Sequence, residues 1–277
     1  MSISEQDYVL GADDDELARL GLQHRAWQLC TEAAWRNGGI GPGQTVLDAG
    51  CGPGYATLDL AGLVGPSGRV IAIDKSEKFL QALDRARCSR GLENIVTHRI
   101  DFDRGGFPAM SADAAWCRWI FIFLRQPREV LSRVVKSIRP GGAIVIHEYF
   151  DYATWRSVPR CPELEEFVSC VMTSWRDNGG EPDIALSLPR WLEESGCEIR
   201  ALRPIVDVVQ PGDLKWTWVR TFFEIGRQRL VDLGYMTAAR AEELWRAFTK
   251  FEAAQNAPGP LRMITPAVLE IIAVRRL

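Results

Sequence analysis

Short apolar runs alternate with helical patterns of hydrophobic residues between residue 45 and about residue 147. The apolar runs have the length and the β-branched content of buried strands. Five strands are predicted, at 45–48, 70–73, 95–100, 113–119 and 143–147. Since strands that alternate with helices form a parallel sheet covered on both faces, the pattern predicts an α/β fold of the Rossmann-like type.

Residues typical of helix ends occur between these strands. Ser76 can cap the helix after the second strand, and Gly91 lies just beyond the end of that helix. Pro127 occupies the first-turn position of a later helix, which the segment Arg139-Pro-Gly-Gly142 is expected to stop. The helices therefore have definite ends, and the strands between them are short.

The flanking parts of the chain are less regular. Helices are predicted at 13–19, 23–36 and within 212–257, and two more strands at 198–202 and 269–274. The complete pattern predicts a mostly parallel seven-stranded sheet with helices on both faces and a helical cap. Ligands of such sheets bind outside the carboxyl ends of the strands, so polar residues at those ends are the candidates for function.

A glycine-rich turn follows the first predicted strand, in Val46-Leu-Asp-Ala-Gly-Cys-Gly-Pro-Gly-Tyr55. Gly50, Gly52 and Gly54 can adopt positive φ and let a ligand approach the backbone closely. The spacing is GxGxG, whereas the dinucleotide fingerprint is GxGxxG. Asp48 ends the strand, and a carboxylate there suits a ligand with a cationic end better than a pyrophosphate. A tight turn without a ligand is the structural alternative.

This segment resembles motif I of the class I S-adenosylmethionine-dependent methyltransferases, and the later features follow in the order typical of that family. The resemblance covers residues 45–147. It implies that the loop from Gly50 to Gly54 packs against the methionine part of S-adenosylmethionine, and that Asp48 organises the loop and the amino end of the cofactor. The departure from the dinucleotide spacing also counts against a nicotinamide-dependent oxidoreductase.

The resemblance assigns further cofactor contacts to residues after the second and third strands. Asp74 is expected to bind the ribose hydroxyls, and Lys75 to line the adenosine edge. Asp101 is expected to accept a hydrogen bond from the adenine amino group, and Phe102 to border the base. Asp103 is an alternative to Asp101, and each acid could also be a surface group in a turn.

The fourth strand ends in Trp116-Cys-Arg-Trp119. The branch of the family that methylates amino groups of nucleic-acid bases has a short Asn/Asp-Pro-Pro-aromatic motif here, and its absence counts against that substrate. Arg118 is a candidate to bind the carboxylate of the cofactor or an acidic group of the substrate. Trp119 either forms a wall of the site or fills the core, and for Trp116 the core is favoured.

His147 ends the fifth strand and is the candidate general base, because an imidazole exchanges protons near neutral pH. The alternative is a structural histidine. Tyr149 and Trp155 are expected to contact the acceptor, and Tyr8 to fold over the cofactor. Further candidates for the acceptor pocket are other aromatic residues of the flanking segments: Trp175, Trp216 and Trp218.

Composition narrows the class of protein. The 277 residues are 47% hydrophobic and 25% charged, which is typical of globular chains, and the net charge of −3 lacks the basic excess of nucleic-acid-binding proteins. The apolar runs are too short to span a membrane. Seven cysteines without a CxxC pair predict a reducing, cytoplasmic location without a disulfide framework. No spacing predicts a metal site.

We therefore expect one methyltransferase domain over residues 1–277. It is divided into a helical cap (1–40), a cofactor-binding core (41–150), a lid insertion (151–195) and the remaining strands (196–277) with a helical insertion at about 212–257. The expected reaction is methyl transfer from S-adenosylmethionine to a small acceptor, first at oxygen, with nitrogen or carbon as alternatives. A protein that binds the cofactor for regulation or for another reaction is the competing hypothesis, and a homodimer is compatible with the sequence.

Overall fold

The computed structural model of the protein describes residues 14–254 and 261–277. Its strands are β1 (Thr45–Ala49), β2 (Arg69–Asp74), β3 (Ile95–Arg99), β4 (Ala112–Arg118), β5 (Ile138–Asp151), β6 (Arg156–Val158), β7 (Cys197–Ile205), β8 (Val208–Val209), β9 (Arg262–Ile264) and β10 (Ala267–Arg275). Its helices are α1 (Asp14–Asn37), α2 (Tyr55–Val64), α3 (Glu77–Ser89), α4 (Pro127–Lys136), α5 (Pro162–Asp177), α6 (Leu188–Glu194), α7 (Leu214–Asp232) and α8 (Ala238–Ala253).

Seven strands form the central sheet in the order β3-β2-β1-β4-β5-β10-β7. The first five strands pair in parallel, and β10 runs antiparallel to both of its neighbours, β5 and β7. Helices α2, α3, α4 and α6 pack against these strands. The predicted fold class, a Rossmann-like and mostly parallel seven-stranded sheet with helices, is confirmed.

The register of the central strands brings their carboxyl ends to one edge. Asp48 of β1 pairs with Ala72 of β2 on one side and with Trp116 of β4 on the other. Most residues of β1 and β4 are buried, which explains why they are apolar on both faces. The polar residues that end β1, β2 and β4 therefore lie close together at the edge where such sheets bind ligands.

Helix α1 is continuous, whereas the sequence predicts two helices at 13–19 and 23–36. Gly21 lies inside it, and a side-chain carbon there would be 3.0 Å from the Tyr55 ring. The Tyr55 hydroxyl donates a hydrogen bond to the carbonyl of Leu17, at 2.9 Å. Tertiary packing thus outweighs the low helix propensity of glycine, and Gly21 lets α1 approach α2 closely.

The segment Arg139-Pro-Gly-Gly142 belongs to β5, and α4 has already ended at Lys136. The sequence predicts that this segment stops the helix. Instead, the pairing of β4 with β5 shifts register here, and Gly141 has a φ of 77°. The proline and glycines form an irregularity of the strand, as expected where an extra residue interrupts a ladder.

A small antiparallel sheet in the order β6-β9-β8 lies outside the central sheet. The sequence analysis does not predict it, because strands of two or three residues carry no measurable periodicity. Helices α1, α5, α7 and α8 pack on one another and form the helical cap. Helix α6 packs against α4 and β7 instead.

Three further properties concern the cysteines, the helices and the potential metal ligands of the chain. All seven cysteines are free thiols in the structure. Within residues 14–254 and 261–277, no helix is long and apolar enough to cross a membrane. In the same ranges, no group of His, Cys, Asp or Glu side chains could hold a metal ion.

Candidate functional site

A cavity of about 350 Å³ lies at the carboxyl ends of β1, β2, β4 and β5, beneath α1 and α7. It brings together most of the residues that the sequence predicts for the site. These are Asp48, Gly50, Gly52, Asp74, Lys75, Asp101, Phe102, Arg118, Trp119, Tyr149 and Trp155. Tyr8 lies outside the described residues, and Gly54 and His147 do not line the cavity.

The three glycines of the loop have positive φ but different surroundings. A side-chain carbon at Gly50 would be 2.3 Å from Ile120, and one at Gly54 would be 2.3 Å from Leu83. At Gly52 it would meet nothing within 4 Å. Gly50 and Gly54 are therefore required for packing within the protein, and Gly54 supports the start of α2 rather than the cavity wall. Gly52 is the glycine with open space beside it.

Asp74 connects the glycine loop to the end of β2. One carboxylate oxygen accepts a hydrogen bond from the backbone N–H of Gly52, at 2.8 Å, and the other accepts one from the N–H of Ser76, at 2.8 Å. Burial raises the pKa of Asp74, and these backbone donors oppose the rise. Since each carboxylate oxygen has a second lone pair, Asp74 can still accept hydrogen bonds from a ligand's hydroxyls.

Asp48 is buried at the end of β1, where Thr57 of α2 donates a hydrogen bond to it at 2.6 Å. Burial raises its pKa to about 6, although Thr57 and the positive charge of Arg118 lower it. Asp48 is therefore mostly ionised at neutral pH and places a negative charge beside the glycine loop, in the part of the cavity that Asp74 also lines.

Arg118 is held by α1 through two hydrogen bonds. It donates to the hydroxyl of Thr31, at 3.1 Å, and to Nδ1 of His24, at 3.0 Å. Because a guanidinium can only donate, Nδ1 of His24 accepts, and Nε2 carries the proton that it donates to Asp59 at 2.8 Å. Burial lowers the pKa of Arg118 to about 10, so it stays cationic at neutral pH.

Asp101 and Phe102 lie where the sequence predicts them, at the end of the cavity beyond β3. The Asp101 carboxylate accepts a hydrogen bond from the backbone N–H of Asp103, at 3.1 Å. Asp103 in turn accepts from the N–H of Arg125, at 3.1 Å, and so ties this loop to the one after β4. Both acids line the cavity, so the alternative between them stays open.

Trp119 forms a wall of the cavity, and its backbone conformation is unusual. Its φ is 53°, a left-handed value that is costly for a bulky residue and often marks a functional site. Its ring is nearly parallel to those of Tyr149 and Trp218, with centroids 5.6 and 6.1 Å away. The Glu148 carboxyl accepts a hydrogen bond from the backbone N–H of Phe121, at 2.9 Å, and supports the turn after Trp119.

Aromatic side chains line the other half of the cavity: Phe123, Tyr149, Tyr152, Trp155, Trp175, Trp218 and Phe222. Of the tryptophans that the sequence offers for an acceptor pocket, Trp216 does not line the cavity. Its indole N–H donates to Glu252 at 2.8 Å, outside the cavity. The cavity therefore has a half with acidic side chains and a glycine loop, and a half that is largely aromatic.

Two polar residues of α1 that were not predicted from the sequence line the aromatic half of the cavity. Arg19 forms two hydrogen bonds of 2.6 Å to the carboxylate of Glu16 and one of 2.7 Å to Gln23. The side-chain oxygen of Gln23 also accepts the indole N–H of Trp218, at 3.1 Å. The spacing of Arg19 and Gln23 places them on one face of a continuous helix, a signal that is lost when α1 is divided in two.

The structure does not support His147 as a general base. Its side chain is completely buried, and its ring packs against Trp116 and Trp27, with centroids 5.0 and 6.3 Å away. Nε2 lies 3.3 Å from a carboxylate oxygen of Glu270. His147 pairs with Arg118 within the sheet, whereas Tyr149, two residues nearer the strand end, reaches the cavity.

We expect His147→Leu to lower the free energy of unfolding by about 1–3 kcal/mol, because a buried oxygen of Glu270 loses its partner. Turnover per folded molecule should change less than about twofold, since the ring does not reach the cavity. Urea unfolding and assays corrected for the folded fraction measure the two effects. A loss of turnover of about 100-fold without a loss of stability would restore the catalytic role.

Sequence comparisons agree with this site. A family model described as a methyltransferase domain matches residues 46–142, the segment from β1 to the start of β5. An uncharacterized 37.1 kDa protein of transposon TN4556 from Streptomyces fradiae is 34% identical over 211 residues, which are 74% of this chain and 57% of that protein. The aklanonic acid methyltransferase DauC of Streptomyces sp. (strain C5) is 28% identical over 58% of this chain and 73% of its own.

Among solved structures, coclaurine N-methyltransferase bound to N-methylheliamine and SAH has the same fold. The TM-score is 0.56 and the identity 15%, over 89% of this chain and 70% of that chain. The segment that the family model matches contains the glycine loop, α2 and the acids at the ends of β1 and β2. Residues 46–142 therefore form a methyltransferase domain of the class I S-adenosylmethionine-dependent type.

Proposed function

We propose that the protein transfers a methyl group from S-adenosylmethionine to a small, planar acceptor, in the first place at oxygen, with nitrogen or carbon as alternatives. The observation that carries this proposal is a single cavity in which the glycine loop and its acids adjoin a half lined by aromatic rings. Methyl transfer is an in-line displacement that depends mainly on the alignment of two reactants. A cavity that holds both reactants side by side supplies this alignment.

The residues of the acidic half fit the cofactor. The open space beside Gly52 allows a ligand to approach the backbone, and Asp74 offers lone pairs to a pair of hydroxyls. The charge of Asp48 favours a cationic ligand, and Arg118 is available for its carboxylate. When bound, S-adenosylmethionine supplies an electrophilic methyl group on a positively charged sulfur.

The aromatic half would orient the acceptor and exclude water. Trp119, Tyr149 and Trp155 are the proposed acceptor contacts, and all three are buried residues that line the cavity. Flat rings on several sides favour a planar, conjugated acceptor, because such a molecule can stack on them. The name of the relative DauC, an aklanonic acid methyltransferase, supports a small-molecule acceptor.

Binding and turnover together test this function. We expect calorimetry to detect binding of S-adenosylmethionine, and a small-molecule extract to yield S-adenosylhomocysteine in the presence of the protein. Binding without product from any extract would favour the competing hypothesis, a protein that uses the cofactor for regulation or for another reaction. Binding of a nicotinamide dinucleotide in place of S-adenosylmethionine would contradict both.

We expect Asp74→Asn to weaken the binding of S-adenosylmethionine by about tenfold or more, because hydrogen bonds to a charged group are lost. The side-chain NH₂ group of the new asparagine would also face the backbone N–H of Gly52 or Ser76, and two donors cannot form a hydrogen bond. Asp84→Asn is the matched control, since Asp84 lies on α3 and pairs with Arg87 at 2.6 Å, outside the cavity. Wild-type affinity in a folded Asp74→Asn protein would contradict the ribose assignment.

The remaining expectations from the sequence stay predictions. They are a cytoplasmic location, the absence of a nucleic-acid partner, the independence from metal ions and the compatibility with a homodimer. Size-exclusion chromatography with light scattering would decide the last of these. Activity that is lost on chelation and restored by magnesium would contradict the expected independence from metal ions.

A further inference from the structure

Two tyrosines with buried rings lie side by side in the aromatic half of the cavity. Tyr149 is 5% exposed and Tyr152 is 2% exposed, and both line the cavity. Their ring centroids are 4.9 Å apart, with the rings nearly perpendicular. Strand β5 positions both residues, since Tyr149 lies near the end of the strand and Tyr152 directly after it. The strand thus brings two phenol groups to one place in the proposed acceptor site.

The hydroxyls of these two tyrosines differ from that of Tyr55. Tyr55 donates its hydroxyl proton to the carbonyl of Leu17, whereas neither Tyr149 nor Tyr152 makes a side-chain hydrogen bond to any residue in the described part of the chain. Neither hydroxyl oxygen is enclosed by the protein, so both are accessible from the cavity. Two unpaired hydroxyl donors on the wall of one cavity can bind a ligand atom that accepts hydrogen bonds.

The charges around the pair determine which ligand atom fits. Burial raises the pKa of both phenols, so both are neutral at physiological pH and can donate. Arg19 of α1 and Arg118 of β4 are the cations that act on Tyr149, and Arg19 also acts on Tyr152. Glu148, the acid that acts on Tyr149, has a pKa raised to about 8 by burial and is mostly neutral at pH 7. Glu16 partly neutralises Arg19, so the two neutral O–H donors, more than a net positive charge, favour an oxygen that carries negative charge.

We propose that the hydroxyls of Tyr149 and Tyr152 together bind one oxygen atom of the acceptor, and that this oxygen belongs to a phenol or enol of a planar conjugated molecule. The two hydroxyls stabilise the ionised form of that oxygen. The proposal rests on the proposed methyl transfer and adds to it the class of acceptor and the residues that select it.

The step balances without a base in the protein. The acceptor O–H group releases its proton to water, and the ionised oxygen forms the new O–CH₃ bond with the electron pair it retains. The S–CH₃ bond breaks, its electron pair stays on sulfur, and the products are the methyl ether and neutral S-adenosylhomocysteine. Each hydrogen bond to the ionised oxygen is expected to lower the pKa of the acceptor hydroxyl by about one unit. Two such bonds bring a phenol close to ionisation at neutral pH, whereas an alkyl alcohol stays protonated.

The ionisation of a bound phenol tests this proposal. The probe is 7-hydroxycoumarin, a planar phenol whose absorption changes on ionisation, titrated with the protein saturated with S-adenosylhomocysteine. We expect the pKa of the bound probe to lie about one unit or more below that of the probe in water. Tyr149→Phe and Tyr152→Phe should each raise it again, and the double variant should return it close to the value in water.

Tyr235→Phe is the matched control, because Tyr235 does not line the cavity and its hydroxyl interacts with Asp177. This variant should leave the pKa of the bound probe unchanged. The Phe variants should bind S-adenosylhomocysteine as the wild type does, which shows that they are folded. An unchanged pKa of the probe in both Phe variants, or no binding of the probe to the loaded wild type, would overturn the proposal. Failure of the wild type to bind S-adenosylhomocysteine would instead contradict the proposed function.

Discussion

Gly52→Ala is expected to weaken the binding of S-adenosylmethionine by roughly 100-fold, about 2.7 kcal/mol, while the chain remains folded. The structure leaves open space around this residue, so an added methyl group meets no protein atom within 4 Å. The methyl group would occupy the space in which a ligand approaches the loop backbone. The φ of Gly52 is 54°, so alanine also adds a strain of about 1–2 kcal/mol that acts on folding.

Gly91→Ala is the control that separates these two effects. Gly91 has a φ of 64° and open space beside it, but it lies just beyond the end of α3, away from the cavity. Both variants should lose similar free energies of unfolding in urea, and calorimetric titration should show weakened cofactor binding in Gly52→Ala alone. Equal cofactor affinities in the two variants would mean that the ligand does not approach Gly52.

The half of the cavity with the glycine loop and its acids was predictable because its signals are local. The glycine loop, Asp48 and Asp74 each follow directly from a strand, and parallel strands end at a common edge. Ser76 was likewise predictable as a helix cap, and its side chain does accept the N–H of Phe79. Such features depend on a few neighbouring residues, so one sequence suffices to find them.

The aromatic half of the cavity was less predictable because distant elements build it. Arg19 comes from α1, Tyr152 from the segment after β5 and Trp218 from α7, and no local pattern joins them. The structure does not support the assignment of His147, for another reason. Sequence shows the strand and its face, but not how deep in the sheet a residue lies, and His147 is covered by Trp116.

The two halves meet at one packing contact. The side chain of Ile120 fills the space next to Gly50, and Ile120 directly follows Trp119, which forms a wall of the cavity. A shift of the glycine loop would therefore be transmitted to Trp119, because packed side chains yield little. The buried carboxyl of Glu148 supports this turn from behind through the N–H of Phe121.

The buried carboxyl of Glu148 should make the protein less stable as the pH rises. Burial raises the pKa of Glu148 from its usual 4.5 to about 8 in the folded protein. Below pH 4.5 the group is protonated in both states, and its contribution to stability is complete. Between pH 4.5 and about 8 the folded protein binds one more proton than the unfolded chain, so this contribution is lost as the pH rises.

The useful range is pH 6.5 to 8, which lies above the usual pKa of His147, a value that burial lowers further. Over that range we expect the free energy of unfolding to fall by roughly 1.5–2 kcal/mol through Glu148 alone. Glu148→Gln cannot titrate and should flatten the dependence, measured by urea unfolding at each pH. Glu165→Gln, at a surface carboxylate paired with Arg160, should keep the full slope. An unchanged slope in Glu148→Gln would mean that Glu148 is ionised in the folded protein, and the donors around it would then hold a full negative charge beneath Trp119.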